Sequence, residues 1–218
     1  MCALRPELAT RAAFCLLMHD AEPLKPSNTG WLIADVVKDT YAFGWSRTEV
    51  DPQLQALLAD PQWQPYVVFP GEYAEPAEPA EPAERVVETL DGGDSRALQP
   101  GRRPLFILLD ATWSEARKMF RKSPYLDGFP VLSLHPDLIS RYQLRRSKRD
   151  DHFCTSEVAA LCLELVGDAG DMQAGRVLES YLGVFTEHYL QAKHQQPVDE
   201  ADSIHQRLRE LMGAKRGV

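Results

Sequence analysis

Short apolar runs recur along the chain, and more polar segments with helical periodicity separate them. The runs that predict strands are AFCLLM (13–18), YAFGW (41–45), YVVF (66–69), LFILL (105–109) and PVLSL (130–134). Several of them contain no polar residue, which is typical of strands that are buried on both faces of a parallel sheet. The pattern therefore predicts a sheet whose strands are spread over the first two thirds of the chain.

The segments between these runs carry signals for helix starts. NTGWLIADVVK (28–38) opens on an Asn or Thr cap, and DPQLQALLAD (51–60) has Asp followed by Pro. After Thr112, apolar residues return at helical spacing through Phe120, with basic residues on the other faces. Strands that alternate with helices predict an α/β fold, with a mostly parallel sheet flanked by helices.

The last third of the chain is predicted to be helical. TSEVAALCLELV (155–166) opens on Thr155 and Ser156, and a longer helix follows it. One stripe of that longer helix is predicted to lie in the core and contains Leu178, Leu182, Phe185 and Tyr189. Residues 198–213 are predicted to form a final, more polar helix.

A tandem Ala-Glu-Pro repeat occupies residues 74–84. Proline at every third position is incompatible with helix and sheet, so the repeat predicts a solvated, extended loop. We interpret residues 74–103 as an insertion between two strands, because the apolar runs resume beyond it with the same character. The predicted organisation is a single domain over residues 1–196 and a C-terminal helical extension over residues 197–218.

The composition is that of a soluble globular protein. The chain has 218 residues, of which 44% are hydrophobic and 26% charged, and no apolar run approaches the ~20 residues that span a bilayer. The first 18 residues lack the pattern of a secretory signal, so the expectation is a cytoplasmic protein with no membrane partner. The four cysteines form no CxxC pair, so we expect free thiols and no metal site.

Charge is distributed unevenly along the chain. The formal net charge is -8, but residues 117–149 contain nine Lys or Arg against two Asp. A local basic face on an acidic protein is typical of a surface that binds a polyanion. The alternative, a solvated surface without a partner, stays open from charge alone.

Candidate ligand-binding residues follow the predicted strands. In parallel α/β sheets ligands bind beyond the carboxyl ends of the strands, near helix N-termini. Asp110 lies at such an end, FPGEY (69–73) lies at a second, and the segment leading to SRYQLRRSKR (140–149) follows a third. Asp110 to Trp113 also fits an ordinary helix cap with Trp113 packed beneath it, and spacing does not separate the two interpretations.

Five separated blocks together resemble the DTW-domain family. They are MHDAEPLKPSNTGWL, FPGEYA, LLDATWSEARKMFRKSPYL, SRYQLRR and CTSEVAA, and their order and spacing match over residues 14 to about 190. The family takes its name from Asp-x-Thr-Trp, here Asp110, Thr112 and Trp113. The resemblance implies a tRNA-uridine aminocarboxypropyltransferase, with a fold related to SPOUT methyltransferases and a C-terminal knotted S-adenosylmethionine site.

The resemblance also implies roles for individual residues. Asp110 is the candidate general base, or the acceptor that orients uracil N3–H, provided that burial raises its pKa. Thr112 is expected to hold that carboxylate, and Trp113 offers a flat surface to the uracil or the adenine, although packing in the core is an equal alternative. These three residues are the predicted catalytic set.

The implied binding residues lie on the loops after the strands and on the basic stretch. The predicted S-adenosylmethionine site comprises Phe69, Pro70, Gly71, Glu72, Leu109, Asp110, Leu132, Leu134, Arg141 and Tyr142. The predicted tRNA-binding residues are Lys118, Arg121, Lys122, Arg145, Arg146, Lys148 and Arg149. Arg141, Tyr142 and Arg145 suit either the carboxylate of the cofactor or a phosphate of the RNA.

Two departures from the family pattern affect these expectations. Many relatives have an N-terminal cysteine cluster, whereas this chain has only Cys2 there, so zinc is not expected. The Ser-Thr-x-Glu-Ala block of the family reads Cys154, Thr155, Ser156, Glu157 and Val158. Three alternatives stay open: an RNA methyltransferase on the same scaffold, an aminocarboxypropyltransferase acting on rRNA, and a non-catalytic RNA-binding protein.

Overall fold

The computed structural model describes residues 4–73, 87–88, 101–134, 153–198 and 203–213. Within these ranges the strands are β1 (Ala13–Met18), β2 (Thr40–Gly44), β3 (Trp63–Val68), β4 (Val87–Glu88), β5 (Arg103–Asp110) and β6 (Val131–Leu132). They form one sheet in the order β2-β1-β5-β3-β6-β4, and each adjacent pair is parallel. The prediction of an α/β fold with a parallel sheet is confirmed.

Helices connect and cover the strands. In the described ranges they are α1 (Gly30–Val36), α2 (Pro52–Ala59), α3 (Trp113–Arg121), α4 (Thr155–Val166), α5 (Ala169–Lys193) and α6 (Ser203–Gly213). At the starts of α1 and α2, the side chains that the sequence predicts as caps accept main-chain hydrogen bonds. The Asp51 carboxylate accepts the Gln53 N–H at 2.7 Å, and the Asn28 side-chain oxygen accepts the Trp31 N–H at 3.3 Å.

The central strands are buried on both faces. In β1, Phe14, Leu16 and Met18 belong to a core cluster with α1, α4, α5 and α6, whereas the alternate residues face α2 and α3. Period-two alternation therefore sends every apolar side chain of this strand into one of two cores. This is why the sequence of the strand reads as a continuous apolar run.

The predicted core stripe of α5 is correct only at its start. Leu178 is fully buried, and Leu182 and Phe185 are partly buried against the core. Tyr189 is 36% exposed, so its prediction as a core residue is wrong. The last buried residue of α5 is Val184, because the helix continues past the part that the core covers.

Two segments of functional interest lie largely outside the described residues. Val87 and Glu88 form an edge strand on β6 within the predicted insertion at 74–103, but the Ala-Glu-Pro repeat itself is not described. Residues 135–152, between β6 and α4, are also outside the described ranges. The knot implied by the resemblance therefore stays a prediction.

Strand register brings the candidate site to one edge of the sheet. Met18 of β1 pairs with Asp110 of β5, and the His19 N–H donates to the Asp110 carbonyl at 3.0 Å. The start of β1 is held by Asp171 of α5, whose carboxylate accepts the main-chain N–H of Ala12 at 2.8 Å and of Arg11 at 3.1 Å. The carboxyl ends of β1 and β5 are thereby fixed side by side.

Candidate functional site

A cavity of about 440 Å³ opens at the carboxyl edge of the sheet. Most of its surface is apolar, and its walls come from the ends of β3, β5 and β6 and the starts of α3 and α4. The lining residues are Val68, Phe69, Pro70, Leu108, Leu109, Trp113, Ala116, Leu132, Ser133, Leu134, Phe153, Thr155 and Val158. The three loops that the sequence singled out therefore meet around one space.

Most of the predicted cofactor residues that the structure describes line this cavity. Phe69, Pro70, Leu109, Leu132 and Leu134 do so directly. Of the other predicted members that the structure describes, Gly71, Glu72 and Asp110 are not part of the lining. Gly71 donates its N–H to the Ser133 side chain at 3.0 Å, Glu72 is exposed in the same turn, and Arg141 and Tyr142 lie outside the described ranges.

Aromatic rings form one wall of the cavity. The rings of Phe69 and Trp113 are stacked, with centroids 5.5 Å apart and an interplanar angle of 12°. Phe69 also stacks on Phe120 at 4.3 Å, and Tyr73 meets both Phe69 and Trp113 edge-on. Trp113 is 40% exposed, so part of its ring is open to a planar ligand.

Asp110 joins three segments that are distant in sequence. Its Oδ2 accepts the side-chain N–H of Asn28 at 2.7 Å, and its Oδ1 accepts the Thr155 hydroxyl at 2.5 Å. Gly30 packs so closely that a Cβ there would lie 2.6 Å from Oδ2. The side chain is 3% exposed. Asp110 therefore holds the segments that begin α1 and α4 against the end of β5.

Burial shifts the pKa of the Asp110 carboxyl in the direction that a general base would need. Desolvation raises the pKa of its carboxyl above the ordinary aspartate value, and the hydrogen bonds from Thr155 and Asn28 act in the opposite direction. The nearby Glu22 charge raises that pKa further, whereas Lys25 lowers it. Both oxygens of the carboxylate are nevertheless occupied by protein donors.

Thr112 does not occupy the place expected for it. Its hydroxyl and its N–H both donate to Glu115 Oε2, the N–H at 3.0 Å, in the first turn of α3. The hydroxyl that binds Asp110 is that of Thr155. The expectation that Thr112 holds the Asp110 carboxylate is therefore corrected: Thr112 closes the start of its own helix, as local side-chain capping favours.

A cluster of charged side chains surrounds Asp110. The Lys25 ammonium bonds to the Glu22 carboxylate, and this bond is the main cause that raises the pKa of Lys25. Lys25 also interacts electrostatically with Asp110 and Glu115. The group contains three carboxyl groups, those of Glu22, Asp110 and Glu115, and the ammonium of Lys25. When all four are ionised, the net charge beside the cavity is negative.

The outer faces of α3 are basic. A surface pocket of about 220 Å³ is formed by Ser114, Arg117, Lys118, Arg121 and Lys122. The Arg117 guanidinium lies 5.9 Å from the centre of the Trp113 ring, which places positive charge next to the aromatic wall. The remaining predicted RNA-binding residues, Arg145, Arg146, Lys148 and Arg149, are outside the described ranges.

Sequence reasoning missed several residues that the fold brings to this edge. Asn28 was interpreted only as a helix start, and Thr155 as a helix start and as part of the family's Ser-Thr-x-Glu-Ala block. Glu115 was not singled out. His19 was not among the predicted site residues. A signal for them existed, because the first two and His19 lie in the blocks MHDAEPLKPSNTGWL and CTSEVAA, and Glu115 lies in LLDATWSEARKMFRKSPYL.

Two negative findings concern the described part of the chain. It contains no group of three or more His, Cys, Asp or Glu side chains arranged to hold a metal ion. Among the same residues, no helix is both long enough and apolar enough to cross a membrane.

Comparison with known proteins identifies the family. A model of the DTW domain matches residues 1–190, which include every element described at the cavity. No solved structure gives a significant match. Membership supports a tRNA-modifying transferase at the level of the family. The match spans most of the 218 residues, and this chain therefore belongs to the DTW-domain family.

Proposed function

We propose that this protein is a tRNA-uridine aminocarboxypropyltransferase, which transfers the 3-amino-3-carboxypropyl group of S-adenosylmethionine to N3 of a uridine. The observation that carries the proposal is the juxtaposition of an apolar cavity, a half-exposed Trp113 and a charged cluster around Asp110. They meet at the carboxyl edge of a parallel sheet, where α/β folds bind ligands. Family membership supports the same class of substrate.

The residues of the cavity fit S-adenosylmethionine. Its volume of about 440 Å³ lies within the range of small-molecule sites, about 300–1,000 Å³. The Phe69 and Trp113 rings of the lining suit the adenine. The carboxylates of Glu22, Asp110 and Glu115 are not part of the lining, but their negative charge favours the positive sulfonium and ammonium groups. When bound, S-adenosylmethionine supplies an electrophilic carbon beside sulfur, with 5'-methylthioadenosine as the by-product.

The task of the protein is then largely one of positioning. Methyl transfer and aminocarboxypropyl transfer differ only in which carbon next to the sulfur faces the uridine, so orientation selects the reaction. Thr155 lines the cavity and also bonds to Asp110, which fixes the start of α4 relative to β5. With both carboxylate oxygens occupied, Asp110 serves here as a positioning residue.

The basic face of α3 suits the RNA backbone. Arg117, Lys118, Arg121 and Lys122 surround a shallow pocket directly behind Trp113. Phosphate contacts by Lys and Arg position an RNA without reading its sequence, and they make binding depend on salt. A uridine turned out of the tRNA could then reach Trp113 while its flanking phosphates contact α3.

The test uses unmodified tRNA transcripts and S-adenosylmethionine labelled either in the carboxyl group or in the methyl group. The proposal predicts that the carboxyl label enters uridine, that the methyl label stays out of the RNA, and that 5'-methylthioadenosine is released. Nucleoside mass spectrometry identifies the product. Ribosomal RNA is assayed in parallel, so that an rRNA substrate is recognised directly.

A variant pair ties the reaction to the cavity. Trp113→Ala is expected to weaken S-adenosylmethionine binding by about 1–3 kcal/mol, the range for stacking of a base on an aromatic side chain. Tyr189→Ala removes a similarly exposed aromatic side chain from α5, away from the cavity, and is expected to bind normally. Isothermal titration calorimetry measures both affinities.

Other results would select the alternatives. Entry of the methyl label into RNA, with no transfer of the carboxyl label, would show a methyltransferase. No label in any RNA, together with no calorimetric binding of S-adenosylmethionine, would overturn the enzyme proposal and leave the basic face as the functional surface.

A further inference from the structure

His19 occupies a fixed position at the end of β1. Its N–H donates to the Asp110 carbonyl at 3.0 Å, so its backbone is tied to the end of β5. Its ring stacks on Trp45 with centroids 5.7 Å apart and an interplanar angle of 19°. The side chain is 18% exposed. The imidazole is therefore held in one plane while part of it stays open to a ligand.

Glu115 fixes one edge of this imidazole. Its Oε1 lies 3.5 Å from His19 Nδ1, and its Oε2 is held by the N–H and the hydroxyl of Thr112. These Thr112 bonds are the main cause that lowers the pKa of Glu115, which favours the ionised carboxylate. A carboxylate beside Nδ1 favours the tautomer with hydrogen on Nδ1 and a free lone pair on Nε2.

His19 Nε2 is available to a substrate. Among the residues that the structure describes, this nitrogen has no hydrogen-bond partner. The separation of 3.5 Å between Glu115 and Nδ1 is long for a hydrogen bond, but such contacts often tighten only when substrate binds. An imidazole oriented by a carboxylate, with its other nitrogen open, is the arrangement of a general base.

The proposed reaction requires such a base. Uracil N3 carries a proton and is a poor nucleophile until the proton leaves. Asp110 is poorly suited to accept it, because the residue is 3% exposed and each carboxylate oxygen already accepts one hydrogen bond from the protein. His19 is the titratable side chain that follows the strand adjacent to Asp110.

We infer that His19 is the general base that accepts the N3 proton of the uridine, with Glu115 and Thr112 as its positioning residues. This inference rests on the proposed function. As the N3–H proton moves to Nε2, the N3 electron pair forms a bond to the side-chain carbon next to the sulfonium. The carbon–sulfur bond breaks, and its electron pair stays on sulfur, which leaves as the neutral thioether of 5'-methylthioadenosine. The imidazolium then returns its proton to solvent.

The cavity and His19 are connected through the start of α3 and through Asp110. Trp113 lines the cavity, whereas Glu115, two residues later in the first turn of α3, lies on another side of that helix, beside His19. Asp110 lies between them, with its carbonyl on His19 and its carboxylate on Thr155 of the cavity lining. A uridine whose N3 meets His19 must therefore bind at the start of α3, next to Asp110, with the reacting carbon of S-adenosylmethionine extending toward it from the cavity.

The test compares His19→Gln with Glu115→Gln in single-turnover transfer, with both substrates saturating, from acid to alkaline pH. His19→Gln is expected to lower the rate constant by about 10²–10⁴-fold, the usual contribution of a general base, and to leave S-adenosylmethionine affinity unchanged in calorimetry. The wild-type rate is expected to fall in acid, and His19→Gln to lose that limb. His194→Gln, which changes an exposed histidine after α5, is the matched control.

Glu115→Gln is expected to change the pH dependence of the transfer rate, which a loss of folding would not do. Among the described residues, the charged group in contact with the imidazole is Glu115. Lys25 interacts with Glu115, and the Lys118 ammonium lies 5.6 Å from the centre of the Trp45 ring on which His19 stacks. Removing the negative charge disfavours the imidazolium, so the acid limb of the rate should move to lower pH. The thermal midpoint of each variant checks that it is folded.

The outcomes separate this inference from the proposed function. Transfer by His19→Gln with the wild-type rate and pH profile would overturn the inference and leave the transferase standing. An unchanged acid limb in Glu115→Gln would overturn the positioning role of Glu115. No transfer by the wild-type protein would overturn the proposed function and the inference together.

Discussion

Thr155→Val tests the central contact of the site with a near-isosteric change. The substitution removes the hydroxyl that donates to Asp110 Oδ1 at 2.5 Å and keeps the shape of the side chain. Because Asp110 is 3% exposed, water cannot easily replace the lost donor. A hydrogen bond to a charged group contributes about 1.5–3 kcal/mol, so the free energy of unfolding should fall by about that amount at neutral pH.

The loss of unfolding free energy caused by Thr155→Val should depend on pH. Burial raises the pKa of Asp110, and the Thr155 bond is the largest effect that lowers it, so Thr155→Val should raise this pKa further. A carboxyl whose pKa is raised by folding binds its proton more tightly in the native state. Its contribution to stability is greatest at low pH and is lost as pH rises through the native pKa. The difference between variant and wild type should therefore shrink in acid toward about 1 kcal/mol, the value of a neutral hydrogen bond.

Urea unfolding at a series of pH values measures this difference. Thr186→Val is the matched control, because its hydroxyl donates to the Leu182 carbonyl at 2.8 Å, which is a neutral acceptor. That variant should lose about 0.5–1.5 kcal/mol at every pH. If Thr155→Val costs no more than Thr186→Val, or costs more in acid than at neutral pH, the argument from a buried, ionised Asp110 is wrong.

Two further substitutions test the packing around the site. Gly30→Ala would place Cβ 2.6 Å from Asp110 Oδ2, so it should destabilise by about 1–3 kcal/mol and lower transfer activity, although alanine normally favours a helix. At Gly213 the new Cβ of alanine would meet no described atom within 4 Å beyond its own helix backbone, so Gly213→Ala should be close to neutral. Thermal melts compare the two variants, and equal effects would refute the clash. Asp171→Ala removes the acceptor of two main-chain N–H groups, one of them from Ala12, and should cost about 1–3 kcal/mol. Chemical denaturation measures that loss of stability. A loss below about 0.5 kcal/mol, which is the usual size of the effect of a surface substitution, would contradict the prediction.

Local pattern was sufficient for most of the secondary structure. The strand β1 is an uninterrupted apolar run because it is buried on both faces, and such a run is visible without knowledge of its partners. The start of α2 is equally local, since Asp51 bonds to an N–H two residues away. The position of Asp110 at a strand end also followed from the change from apolar to polar residues alone.

Local pattern failed where the outcome depended on distant segments. The stripe of α5 is regular through Tyr189, but Val184 is its last fully buried residue, because only part of the helix meets the core. From the sequence, Thr112 was expected to hold the Asp110 carboxylate. In the structure, Asn28 and Thr155 donate the hydrogen bonds to it.

The identity of the site residues was decided by the order and register of the strands. Asn28 and Thr155 lie 82 and 45 residues from Asp110 along the chain, and local apolar periodicity does not predict contacts over such separations. Parallel pairing of β1 with β5 brings their carboxyl ends together, and with them His19, Asp110 and the start of α3. Apolar periodicity specifies which faces are buried, but contacts between polar ends form only after those faces have packed.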